Sequence, residues 1–156
     1  MRTPITLRAV TGTWTEIDLL FAWRNDPVTC AMSRVPDPVA FPDHVCWVAD
    51  VVSDPDRQLW IGDQAGEPIG TVRADRQGAY WELSWTVAPD WRGLGLGHAL
   101  VRVALDMMPN QAVIAHIKSE NTASQRIAAA AGFRRVGHAD DGIDRWQRGG
   151  IRDDPG

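Results

Sequence analysis

The stretch Arg92-Gly93-Leu94-Gly95-Leu96-Gly97-His98 combines what an oxyanion site needs: main chain unshielded by side chains and a fixed positive charge. Glycines can take φ > 0 and carry no Cβ, so successive backbone N–H groups can converge on an anion while a ligand approaches the chain closely. Upstream, Tyr80 to Val87 is rich in aromatic and β-branched residues. Downstream, Ala99 to Met108 sets Leu100, Val103, Ala104 and Met107 at helical spacing, so a strand feeds a helix through the loop. The first helical turn adds unpaired N–H groups and about +0.5 of dipole charge. A pyrophosphate suits such a loop. A Walker loop fails here, because His98 and Ala99 follow Gly97 where Lys and Ser or Thr are required. A Rossmann loop fits poorly, because the spacing is Gly-x-Gly-x-Gly and lies deep in the chain.

The loop resembles the Arg/Gln-x-x-Gly-x-Gly/Ala acetyl-CoA loop of the GNAT N-acetyltransferases. Asn121 with Ser124, then Gly132-Phe133, is similar to that family's second motif: an Asn on a strand-to-helix turn, a small residue after it, and Gly-Phe closing the helix. The motifs stand in the expected order, and the pattern fits from Ile5 to about Arg148. Trp23-Arg24-Asn25-Asp26-Pro27, then His44 with Trp47, resemble the branch holding ribosomal-protein N-acetyltransferases and the amino-sugar N-acetyltransferases of pseudaminic acid synthesis. The resemblance implies an α+β fold, a central mixed, mostly antiparallel, twisted sheet of about six to seven strands flanked by about four helices. It implies acetyl-CoA as cosubstrate, with no metal. Trp85, Thr86, Val87, Arg92, Gly93, Leu94, Gly95, Gly97, His98, Asn121 and Ser124 would bind it, and Trp23, Arg24 and His44 would meet the acceptor.

Acetyl transfer to an amine needs a neutral nucleophile, so a base or a water relay must take the ammonium proton. In the matched strand several relatives carry a glutamate base where this chain has His116, and imidazole is the side chain that ordinarily titrates near neutrality. Glu82, on the strand entering the glycine loop, is the rival, and a water relay stays open. Many relatives use a tyrosine after the motif Asn to protonate the departing thiolate; here that position is Ala128. A thiol near pKa 8.5 leaves as thiolate at pH 7 at a cost of about 2 kcal/mol, so the acid is dispensable. Ser124 or water remains eligible for it. A CoA-binding sensor or scaffold without turnover and an unrelated phosphate-binding protein are the competing functions.

The elements that must hold these residues follow in order. Ile5–Val10 alternates as a strand, Thr15 is a fair N-cap for a helix over Glu16–Asn25 that Pro27 stops, and a second helix runs from Pro42 to about Val52. Leu59–Ile61, Pro68–Ala74 and Ala79–Val87 read as an antiparallel meander, and Ala112–Lys118 as a strand. Thr122–Ala131 is a helix capped by Gly132, and Phe133–Gly137 with Ile143–Trp146 a hairpin around Asp140-Asp141-Gly142. One domain, residues 1–148, is expected, with 149–156 a tail.

Composition narrows the class. Hydrophobic content of 44% and charged content of 23% suit a globule, and no apolar run approaches the roughly 20 residues of a membrane helix. A net charge of −4 argues against nucleic acid as partner, and the N-terminus lacks a signal core, pointing to the cytoplasm. Cys30 and Cys46 share no metal spacing and read as buried thiols. The expected partner is a small-molecule or peptide amine, with no membrane, and a homodimer is admissible.

Overall fold

The computed structural model describes residues 3–138 and 141–149. Seven strands appear there: β1 (Ile5–Ala9), β2 (Arg57–Gln64), β3 (Glu67–Gln77), β4 (Tyr80–Val87), β5 (Ala112–Lys118), β6 (Arg134–His138) and β7 (Ile143–Arg148). Five α-helices accompany them: α1 (Trp14–Arg24), α2 (Pro27–Met32), α3 (Phe41–Ser53), α4 (Leu96–Asp106) and α5 (Thr122–Ala130). The strands make one open sheet in the order β1-β2-β3-β4-β5-β7-β6, antiparallel except where β4 meets β5. The expected mixed sheet and flanking helices are therefore present. The turn at Asp140 and the tail from residue 150 lie outside the described residues.

Two of the expected helix boundaries are corrected. Thr13, rather than Thr15, caps α1, because Thr13 Oγ1 accepts the Glu16 N–H while the Glu16 side chain reaches back to the Thr13 N–H, a reciprocal capping box. Pro27 does not merely stop α1. It opens α2, where its fixed φ and missing N–H suit the first helical position, and Asp26 accepts the Thr29 N–H as the cap. The end of α5 is as expected: Gly132 at φ 93° bonds to Ala129 O, and Phe133 N–H to Ala128 O, a Schellman closure.

Strand alternation sorts the side chains into two cores. Trp60, Val72, Ala74, Leu83, Val113, Ala115 and Ile117 pack with Leu100, Val101, Ala104 and Ala128 of α4 and α5. On the opposite face Leu59 and Ile61 pack with Ile17, Leu20, Trp23, Val48 and Val51 of α1 and α3. A notch seats α4 on the sheet. Gly62 and Gly70 are cross-strand partners, and a Cβ on either would come within 2.3 or 2.8 Å of the fully buried Leu100. Fixing Leu100 there aims the N-terminus of α4, and the glycine loop before it, at the end of β4.

Candidate active site

β4 and β5 pair only at Tyr80–Ala112, Trp81–Val113 and Glu82–Ile114. Beyond Glu82 the strands part, and Trp85, Thr86 and Val87 present an unpaired main-chain edge toward β5. Trp85 packs on Phe133 at 6.4 Å between ring centroids, and its buried indole N–H has no protein partner. At the end of this edge the loop turns through Gly93 at φ 77° and Gly95 at φ 75°. Gly95 is the N-cap of α4 and supplies no capping side chain, so the first-turn N–H groups are free of side-chain acceptors. A Cβ at Gly93 would meet no atom within 4 Å, and Leu94 is exposed. The cradle is open and its donors are main-chain.

Not every loop residue serves that cradle. Gly97 sits inside α4, and a Cβ there would come 2.6 Å from Ile127 Cδ1 and 3.4 Å from Val87 Cγ2. Its missing side chain lets α4 approach α5 rather than admitting a ligand. His98 lines the groove between α4 and α5 with Arg102, Ile127 and Arg148. Arg92, expected to set its charge beside the N–H groups, instead bonds through one Nη to Asp26 Oδ2 at 2.6 Å and Thr29 Oγ1 at 3.0 Å. The Arg92 hydrogen bond outweighs burial and holds the Asp26 carboxyl below the usual range. Asn121 Oδ1 caps α5 through the Ser124 N–H at 3.1 Å, which commits one half of that motif to the fold.

The two rival bases meet. His116 Nδ1 lies 2.9 Å from Glu82 Oε1, both side chains partly buried, at the point where β4 and β5 separate. A carboxylate on Nδ1 fixes the tautomer with its proton there and leaves Nε2 as the acceptor. A cation also stands near the carboxylate: Arg34 lies 3.7 Å from Glu82 Oε1. Lys118, on the same β5 face, donates to Ala31 O at 2.8 Å and ties α2 to the sheet. Ala128 is fully buried, and its carbonyl closes the α5 cap, so it contributes no acid.

The residues expected at the acceptor side make their contacts inside the fold. Trp23 is a core residue against α3. Arg24 donates to Val35 O at 2.8 Å, and Asn25 holds both polar groups of the Val39 backbone, so the pair pins the segment between α2 and α3. His44 is 2% exposed, beside Phe21 and Trp47, with Nε2 2.9 Å from Ile17 O. Burial lowers its pKa below the usual imidazole value, and the neutral ring donates to that carbonyl. Cys30 is buried as expected, but Cys46 is exposed.

Sequence reading passed over Asp26 as the partner of Arg92, and over Arg34. It also passed over the row Arg57, Asp75, Arg73 on the face shared with Glu82. The β3–β4 turn fixes the register Asp75–Glu82, which was a recoverable signal, whereas Arg57–Asp75 depends on the register shift between Gly62 and Asp63. Among the described residues no group of three or more His, Cys, Asp or Glu is arranged to hold a metal, and no helix is long and apolar enough to cross a membrane.

The fold has many solved counterparts. A domain from Methanocaldococcus jannaschii superposes with a TM-score of 0.81 at 18% identity, over 94% of this chain and 98% of that one. The aminoglycoside acetyltransferase AAC(6')-Ib, in complex with ribostamycin and coenzyme A, gives 0.79 at 20% identity over 92% of each chain. A spermidine N-acetyltransferase from Vibrio cholerae, in complex with CoA and spermine, gives 0.77 at 19% over 92% of each. No curated protein matches in sequence. The model of the acetyltransferase (GNAT) domain matches residues 5–134, which include the parted strands, the glycine loop and the His116–Glu82 pair, and on that match the chain belongs to the GNAT acetyltransferase family.

Proposed function

We propose that this acetyltransferase moves an acetyl group from acetyl-CoA to a primary amine, with His116 as the base and Glu82 as the residue that orients it. The observation that carries this reading is the 2.9 Å His116–Glu82 contact at the parting of β4 and β5. The site fits the cosubstrate on three counts: main-chain donors at Gly93, Gly95 and the first turn of α4, an unpaired β4 edge at Trp85–Val87, and the unpartnered Trp85 N–H beside it. When bound, acetyl-CoA supplies an acyl thioester whose C–S bond breaks as the N–C bond to the amine forms. His116 Nε2 takes the ammonium proton, and Glu82 stabilises the resulting imidazolium. The β4 edge supplies N–H donors toward the thioester carbonyl. The thiolate leaves without a tyrosine, at about 2 kcal/mol near neutrality. Residues 1–148 form the transferase unit in this reading, supported by a sheet that runs through Arg148.

An amine acceptor accords with the fold's company, since solved relatives carry ribostamycin and spermine. Trp23 to Asp26 and His44, which carry the finer branch likeness, make their contacts inside the fold. Thermal shift with CoA and thiol release from acetyl-CoA over a panel of amines test the proposal. Binding together with amine-dependent thiol release is expected. Binding without release on any amine would identify a CoA sensor or scaffold instead, and absence of binding would remove both.

A further inference from the structure

On the sheet face that bears Glu82 and His116, arginines outnumber carboxylates. Arg57 and Arg73 both place Nε 2.8 Å from Asp75, one on each carboxylate oxygen. Their guanidinium carbons lie 6.0 and 5.6 Å from the centre of the Trp47 ring of α3, which braces both. Arg34 stands at Glu82, and Arg145, the cross-strand partner of His116, lies over the Tyr80 ring at 5.4 Å with a buried Nε that has no partner. Four arginines thus face two carboxylates in a chain whose net charge is −4. Asp75 can neutralise only one of its two arginines, and these are 27% and 34% exposed, so the surplus charge is partly removed from water. Arg73 Nη2 reaches Ser84 Oγ at 3.5 Å; among the described residues the other terminal nitrogens of Arg57 and Arg73 bond to no protein atom. Two braced guanidinium groups with free N–H edges are built for a carboxylate or phosphate.

We infer that the acceptor is a primary amine carrying an oxyanion, a carboxylate or a phosphate, which docks on Arg57 and Arg73 while its amine faces His116. This rests on the acetyl-transfer reading of the His116–Glu82 pair. Both guanidinium groups meet Asp75 on β3 and His116 stands two strands away on β5, so amine and oxyanion lie about two strand spacings apart, about 10 Å. An α-amino acid is too short to bridge that gap. A polycation would meet the surplus arginines unfavourably, which sets this site apart from one suited to spermine.

The test is a chain-length-matched series: hexylamine, 6-aminohexanoate, 6-aminohexyl phosphate and 1,6-diaminohexane, assayed by thiol release from acetyl-CoA. The oxyanion-bearing amines are expected to exceed hexylamine in kcat/KM by about 10- to 100-fold, the worth of one or two charge-assisted contacts, with the diamine last. Arg57→Gln and Arg73→Gln should each pull the ratio of 6-aminohexyl phosphate to hexylamine toward one, mainly through KM. Preference for the diamine, or an unchanged ratio in both variants, overturns the inference. If no amine is turned over, the transfer reading fails by itself. The anion site is then judged by titrating inorganic phosphate into CoA-saturated protein and following the arginine Nε–H resonances. Shifts confined to Arg57 and Arg73 support it, and unmoved resonances reject it.

Discussion

Two stretches of this chain carry motif-like residues, and they behave in opposite ways. The loop from Arg92 to Gly97 works through its backbone: Gly93 and Gly95 take positive φ, and the α4 N-terminus stays uncapped. The stretch from Trp23 to Pro27 works through side chains, and all of them are consumed internally. Trp23 fills the core, Arg24 and Asn25 pin the segment leading to α3, and Asp26 caps α2 and binds Arg92. A backbone site is fixed by local residue order, whereas a polar side chain finds its partner only when distant elements meet. The two stretches are also joined, since the Arg92–Asp26 pair ties the glycine loop to the start of α2.

The largest effect is expected where the β4 and β5 side chains meet, at the His116–Glu82 pair. His116→Ala should lower kcat/KM by about 100- to 10,000-fold while acetyl-CoA affinity in calorimetry stays within a few-fold. Glu82→Gln should cost less, because it removes orientation and leaves the base. A larger loss in Glu82→Gln than in His116→Ala would exchange their roles.

The glycines offer a contrast within the loop itself. Gly95→Val forces a β-branched residue to φ 75°, and CoA affinity should fall about 10-fold or more, given about 1 to 2 kcal/mol of left-handed strain at the cradle. Gly97→Val instead drives side-chain atoms into Ile127 and Val87, so its main effect should be on folding, about 1 to 3 kcal/mol in urea titrations. Equal effects of the two substitutions on CoA binding would erase the distinction between ligand-facing and packing glycines.

On the other side, Asp26→Ala removes a helix cap and the partner of Arg92, and about 1 to 2 kcal/mol of stability should go with it. Arg92→Ala should raise the amine KM more than the acetyl-CoA KM, since its guanidinium is held by α2; the reverse order would return Arg92 to the pyrophosphate.

The smallest expected effect is a pH dependence. The His44 pKa is lower folded than unfolded, so its contribution to stability is complete above the unfolded value of about 6.5. It is lost as pH falls from there through the depressed folded value, where the unfolded chain takes up the proton first. Denaturant midpoints should therefore decline between pH 7.5 and 5, before carboxylates titrate. His44→Leu should flatten that decline, and an unchanged slope would assign it to other groups.

Residue order alone set the two motifs, the strand β5 and the α5 helix with its Gly132 closure, because each depends on spacing within a few residues; the mixed sheet was implied by the family resemblance. It placed His116 and Glu82 near the chemistry but as competitors. Only the fold made them a pair: the parallel register Glu82–Ile114 sets His116 beside Glu82 from a strand 34 residues away, where the two strands begin to part. The same holds for Arg92 and Asp26, 66 residues apart, whose contact turns an expected phosphate ligand into a tie between elements. Helix periodicity and glycine content are properties of neighbours in sequence. The partner of a charged side chain is a property of neighbours in space, and long-range register, which depends on how the whole sheet assembles, decides it.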